Sequence, residues 1–284
     1  MTTRMIGDVP ITHVEENPRL AFPPGDLLPD LDPEALDKHA AWLRPDHYIA
    51  DEDLVVMSVH SWVIKTARHT ILVDTCSGNH KERPSLPPFH QLDVPYMERL
   101  AAAGVHPEQV DFVMCTHLHL DHVGWNTRLE NGRWVPTFPN AKYILAGDEY
   151  AASEAGDDQV FRENVLPVME AGQAVLVDTD YALDDEVWLV PTPGHTVGHV
   201  AVNIASRVET AVMCGDLMHT PLQLAHPEWS PNFDHDGVRA AETRKSFLDK
   251  HCETDTLILT AHFPSPSVGH IVPHAERRFD FSYL

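Results

Sequence analysis

The stretch Thr116-His117-Leu118-His119-Leu120-Asp121-His122-Val123-Gly124-Trp125-Asn126 decides how the rest of the chain reads. His117, His119, Asp121 and His122 place four metal-competent side chains within six positions. The apolar run Val110–Cys115, interrupted only by Asp111, leads into them and predicts a buried strand. In extended backbone alternate side chains share a face, so His117 and His119 point at one ion while Leu118 and Leu120 face packing. A turn after Leu120 then swings Asp121 and His122 beside that ion. Two imidazoles for one metal and a carboxylate with an imidazole for its neighbour suit a dinuclear hydrolytic site. With 20 histidines in the chain some are incidental. A histidine-rich surface loop, however, has no reason to follow a buried strand or to alternate His with Leu.

Outward from this stretch, three more polar residues each follow an apolar strand-like run, the position a loop-borne site occupies. They are His195 in Thr-Pro-Gly-His-Thr-Val-Gly-His, Asp216 in Cys-Gly-Asp-Leu, and His262 in Thr-Ala-His-Phe-Pro. Predicted strands at Leu54–Thr66, Thr70–Asp74, Trp134–Phe138 and Lys142–Ala146 precede a second series at Val175–Val177, Glu186–Thr192, His199–Ala205, Thr210–Cys214 and Thr256–Thr260. Helices are expected at Val94–Ala103, Asp148–Glu154, Val160–Ala171 and Gly237–His251, with Cys76–Leu92 a long loop. Two strand-rich halves separated by helices imply an α+β sandwich of two sheets with helices outside. Residues 1–50, rich in Pro and Asp with one helical candidate at Pro33–Leu43, read as an arm over the domain or a partner subunit, which points to a homodimer. Residues 51–284 read as one domain.

The 284 residues, 43% hydrophobic, suffice for a large single core. A net charge of −23 repels phosphate backbones and anionic lipid, which argues against nucleic-acid and membrane partners. Cys76, Cys115, Cys214 and Cys252 form no CxxC pair and no disulfide framework. The N-terminus lacks the apolar core of a signal peptide, and no apolar run approaches the ~20 residues of a spanning helix, so a cytoplasmic protein is expected.

The order His117-x-His119-x-Asp121-His122, then His195, Asp216 and His262, resembles the metallo-β-lactamase superfamily over residues 55–265. The resemblance implies an αβ/βα four-layer sandwich. It also implies that His195 completes the first metal's ligands, Asp216 bridges the pair, and His262 binds the second metal. His119 stands where redox di-iron members carry glutamate, so the pattern is hydrolytic. Two divalent ions are expected, Zn²⁺ first, with Fe, Mn or Co chemically acceptable. Asp121 is a candidate proton shuttle, and Asp74 and Thr116 are candidates to orient ligands by hydrogen bonding.

Within the superfamily the sequence is similar to the lactonase and organophosphate- and ester-hydrolase branch, through Asp-His-Val-Gly-Trp-Asn and Gly-Asp-Leu-Met-His. It departs at His219, where lactonases carry tyrosine, which favours a broader esterase or phosphotriesterase reading with His219 as a substrate-facing donor. Trp125, Met218, Leu222, Leu224 and Phe263 flank the ligands as candidate pocket walls for a small neutral or apolar substrate. Trp229 and His270 lie in later stretches with no assigned role. Glutathione thioester hydrolysis or persulfide oxidation on the same fold would want a basic patch, and few Lys or Arg lie near the motifs. A purely structural metal protein is the non-enzymatic alternative, but structural zinc closes its shell with four ligands whereas this set has seven.

Overall fold

The computed structural model describes residues 2–43 and 45–284; Met1 and Arg44, both inside the expected arm, lie outside the described residues. The first sheet opens with β1 (Thr3–Ile6), β2 (Val9–Phe22), β3 (Tyr48–Ile49), β4 (Leu54–Lys65), β5 (Thr70–Val73) and β6 (Phe112–Met114). A separate hairpin, β7 (Thr127–Glu130) with β8 (Arg133–Pro136), precedes β9 (Lys142–Ala146) and β10 (Ala174–Val177), which complete that sheet. The second sheet holds β11 (Val187–Pro191), β12 (Val200–Ser206), β13 (Glu209–Met213), β14 (Leu257–Leu259), β15 (Val268–His274) and β16 (Arg278–Tyr283). Strands β5, β6, β9 and β10 run parallel, as do β13 and β14, whereas the other strand pairs are antiparallel.

Period-two alternation sorts the side chains into three apolar layers. Trp62 and Ile64 of β4 meet Met213 of β13 and Leu259 of β14 between the sheets. Val59 and Val63 face the other way, packing with Leu36 and Leu100 from the helices at Pro33–Leu43 and Tyr96–Ala102. Val212 and Ile258 face Phe247 and Leu248 of the helix at Gly237–His251. Helix, sheet, sheet and helix therefore stack in four layers, the architecture the resemblance implied.

The expected arm differs from what the chain does. Residues 3–22 are two strands of the first sheet, with β2 paired along β4. Register shifts between Glu15 and Leu20 break the alternation that would have marked β2 as a strand. Leu20, Leu27 and Leu28 are buried in the chain's own core, so they need no partner subunit to cover them. The helix at Pro33–Leu43 is present. The final pair β15–β16, absent from the sequence reading, extends the second sheet beyond β14. Among the described residues no helix is long and apolar enough to cross a membrane.

Candidate metal centre

The ligand-competent groups gather where strands of both sheets end. His117 lies just past β6, His119 caps the short helix Leu120–Val123 that carries Asp121 and His122, and His195 sits between β11 and β12. Asp216 and His219 follow β13, and His262 follows β14. The predicted strand stops at Met114, so His117 and His119 are not consecutive same-face strand positions. The chain nonetheless brings their rings to 4.6 Å between centroids. Gly194 lets the His195 loop press on the Gly237–His251 helix: with φ at 134°, a Cβ there would lie 2.3 Å from the Ala240 nitrogen.

Two pockets of donors share Asp216. His195 Nε2 lies 3.2 Å from His117 Nε2 and 2.9 Å from His119 Nδ1, and Asp216 Oδ2 is 3.3 Å from His195 Nε2. On the other side Asp216 Oδ1 is 3.1 Å from both His122 Nε2 and His262 Nε2. Asp121 faces the same two nitrogens, each at 3.8 Å. His219 Nε2 lies 3.1 Å from Asp216 Oδ2, and its ring stacks on His262 at 13°.

Hydrogen bonds outside this cluster fix the tautomers. Asp74, at the end of β5, accepts from the Thr116 amide, the Thr116 hydroxyl and His122 Nδ1, each at 2.8 Å. With its proton spent on Asp74, Thr116 Oγ1 accepts from His117 Nδ1 at 3.1 Å. His195 Nδ1 donates to Asp234 at 2.7 Å, and His262 Nδ1 donates to the Ser58 carbonyl at 2.9 Å. A neutral imidazole has one N–H, so each of these four rings turns a lone pair inward. His117 and His195 then oppose two lone pairs at 3.2 Å, and the neutral forms of His122 and His262 that metal ligation requires would oppose theirs to Asp216 Oδ1. His122 Nε2 and Asp216 Oδ1 are buried without a hydrogen-bond partner. Acceptors facing acceptors repel unless a cation lies among them, so the donor set fits two metal ions.

The electrostatics agree. Burial pushes His117 and His195 well below the ordinary imidazole range and lowers His119, keeping them neutral as ligands must be. Burial also opposes charge on His122 and His262. There the carboxylates, Asp216 foremost, override it and lift both above the usual value, so they demand positive charge at that point. Burial would raise Asp216, but the surrounding imidazoles, led by His122, hold it well below the carboxylate range.

Three positioning residues escaped the sequence reading. Asp234 orients His195 and faces Arg244 at 3.7 Å. Glu149 accepts from the Leu118 and Gly198 amides, tying the motif to the His195 loop. Burial keeps His199 neutral, down to about 3, and its Nε2 accepts from the Asp216 amide. Asp234 lies in Pro-Asn-Phe-Asp-His-Asp-Gly, where Asp236 caps the following helix. A second acid beside a capping one was the available signal.

The walls of the site also differ from expectation. A cavity of about 350 Å³ opens on Asp121, Asp216, His219 and His262 and is otherwise mainly apolar, with Leu20, Phe22, Leu27, Met57, Leu86 and Phe89 among its lining. Trp125, Met218, Leu222, Leu224 and Phe263 do not line it. They are buried in the helix-side cores, and Trp125 stacks on Tyr96 while donating to Glu16 at 2.7 Å. These five point away from the ligands into packing, whereas Leu120, expected to face packing, lines the cavity beside Asp121 because the chain turns into a helix there. Trp229 stacks on His226, and His270 is bonded to the Thr256 carbonyl, both apart from the cavity lining.

The chain is similar to several known proteins. The profile of the metallo-beta-lactamase superfamily matches residues 54–262. An N-acyl homoserine lactonase from Bacillus sp is 27% identical over 173 residues, 57% of this chain and 64% of that protein. The lactonase AttM of Rhizobium radiobacter is 26% identical over 182 residues, 59% and 64% of the two chains. The chain thus spans just under two thirds of the length of these curated relatives. Among solved structures, hydrolase AbOPH superposes with a TM-score of 0.82 at 23% identity, covering 99% of this chain and 96% of that one. AidC, described as a dizinc quorum-quenching lactonase, superposes at 0.81 with 20% identity, covering 100% and 97%.

Proposed function

Because the chain belongs to the metallo-beta-lactamase superfamily, we propose that it is a dinuclear metal-dependent hydrolase of lactones or neutral esters. The observation that carries this is the inward set of imidazole lone pairs around Asp216, held by Asp74, Thr116, Asp234 and Ser58. His117, His119 and His195 would hold one ion, Asp121, His122 and His262 the other, and Asp216 would contact both. Zinc suits this imidazole-rich set best, and Fe, Mn or Co satisfy the same donors. Bound there, the ions supply an acidified water and an electrophile for a carbonyl oxygen.

The chain's own groups do the rest. Asp121 lines the cavity beside His122 and His262, where it takes the proton released by the attacking water and returns it to the leaving alkoxide. His219 stands at the cavity wall where the related lactonase pattern has tyrosine, and its Nε2–H, now 3.1 Å from Asp216 Oδ2, would turn to the substrate oxygen once Asp216 is engaged by metal. The apolar wall binds the acyl or alkyl part and keeps water from it. Neither Lys nor Arg lines the cavity among the described residues, which disfavours a glutathione conjugate with its carboxylates. The curated relatives named above are acyl-homoserine lactonases, which supports the lactone reading.

Metal quantification should find about two ions per chain. Chelation should abolish hydrolysis of neutral lactones and aryl esters, and zinc should restore it. Full activity in metal-free protein refutes the proposal.

A further inference from the structure

The cavity has one ionisable group outside the candidate metal centre. Asp26, in the short helix Pro24–Leu27, lines it and is exposed to solvent. No ion pair or hydrogen bond engages its carboxylate among the described residues, so its charge is not neutralised within the chain. The remaining wall is apolar apart from Asn232 and the groups of the centre itself. The cavity is therefore polarised, with the groups that would hold cations buried at one end and the exposed, unpaired Asp26 carboxylate at the other.

We infer that Asp26 selects substrates by the charge at the end of the chain remote from the reacting carbonyl, admitting neutral and cationic tails and turning away anionic ones. This deepens the hydrolase reading and rests on it for the orientation of the substrate. A compact cavity of 350 Å³ is about 9 Å across, so a tail reaching the mouth comes within several ångströms of Asp26. At about 6 Å, with the water-like dielectric of ~80 that suits the exposed Asp26, one unit charge changes binding roughly threefold, and exchanging a cation for an anion changes it about tenfold. The acidic surface, with a net charge of −23, acts in the same direction but is screened by salt and does not depend on one residue.

The test uses metal-loaded enzyme and aryl esters of one chain length ending in methyl, trimethylammonium or carboxylate. Each kcat/KM is normalised to the methyl ester within its variant. The cationic ester should exceed the anionic one about tenfold; Asp26→Asn should shrink this ratio at least threefold and Asp26→Lys should reverse it. A second arm needs no turnover: displacement of the neutral fluorophore N-phenyl-1-naphthylamine by octyltrimethylammonium or by octanol. The cationic amphiphile's advantage should fall in Asp26→Asn. If none of the esters is hydrolysed, the hydrolase reading falls and displacement alone decides the charge filter. Ratios unchanged by both substitutions overturn the inference.

Discussion

Asp234→Asn is the sharpest test of how the candidate centre is held. The substitution preserves shape and leaves an acceptor for His195 Nδ1, now 2.7 Å from Asp234, but removes the charge. A charge-assisted hydrogen bond is roughly twice as strong as a neutral one. Loss of such an outer partner typically costs 10–100-fold in metal affinity, about 1.4–2.8 kcal/mol. Arg244 complicates the result. Burial lowers it to about 10, so it remains charged at neutral pH, and it donates to the Leu217, Pro227 and Trp229 carbonyls. Without the Asp234 charge at 3.7 Å, Arg244 keeps those carbonyls and the weaker field of Glu228, and the fold loses some stability as well. The two effects separate by stoichiometry. Asp234 touches His195 alone among the proposed ligands, so one ion should be released to a competing chelator at 10–100-fold lower chelator concentration. The ion on the His122 and His262 side should be retained. Chelator titration with metal quantification at fixed pH reads this directly. Equal weakening of both ions, or of neither, refutes the reasoning.

His13 supplies a pH prediction. Its ring lies against His60 and Trp62, both its nitrogens are buried without a partner, and burial pushes it from 6.5 down to about 3. Between those values the unfolded chain binds a proton that the fold refuses, so stability falls as pH drops through that window, by about 1.4 kcal/mol per pH unit. Other buried histidines such as His47 and His199 are depressed through the same window, so His13→Phe should reduce the total slope by about 1.4 kcal/mol per pH unit rather than abolish it, read by urea unfolding of variant and wild type between about pH 4 and 6; an unchanged slope refutes the assignment. Gly124→Ala should lower the melting temperature and abolish hydrolysis, since its Cβ would sit 1.9 Å from the Ser77 carbonyl carbon and oxygen, backbone that cannot move aside cheaply. A normal melting temperature and intact turnover would show that the loop yields.

The seven proposed ligands were legible because each sits at or just beyond the end of an apolar run, where strand chemistry and metal chemistry adjoin in sequence. Asp74 and Thr116 were legible for the same reason. Asp234 was not, because no strand leads into it, and its partner His195 is 39 residues away. The helix at Gly237–His251 has the bounds expected of it, with Asp236 capping its start. β2 was not legible, because the polar His13, Glu15, Glu16 and Asn17 interrupt its apolar pattern, the last three at the first register shift. β16 had a readable alternation in Phe279, Phe281 and Tyr283, with both phenylalanines buried, but it lies beyond the last ligand, where the motif offered no guide.

The misread N-terminal segment bears on function because of what Glu16 does. Its carboxylate is buried and accepts from the Ser77 and Gly78 amides and from Trp125 Nε1, at 2.9, 3.0 and 2.7 Å. Ser77 and Gly78 press against Gly124, and the Thr75 amide donates to the His122 carbonyl. Strand β2 is thereby fastened to the turn that carries Asp121 and His122, a few residues before it delivers Leu20, Phe22 and the Asp26 helix to the cavity. A detached arm would vary its distance from the centre. A strand bonded to the ligand turn cannot do so without breaking three buried hydrogen bonds, each worth about 1 kcal/mol or more. The cavity wall is thus set at a fixed distance from the candidate metal centre, so under the proposed function the chain length and tail charge of a substrate would be read against one rigid ruler.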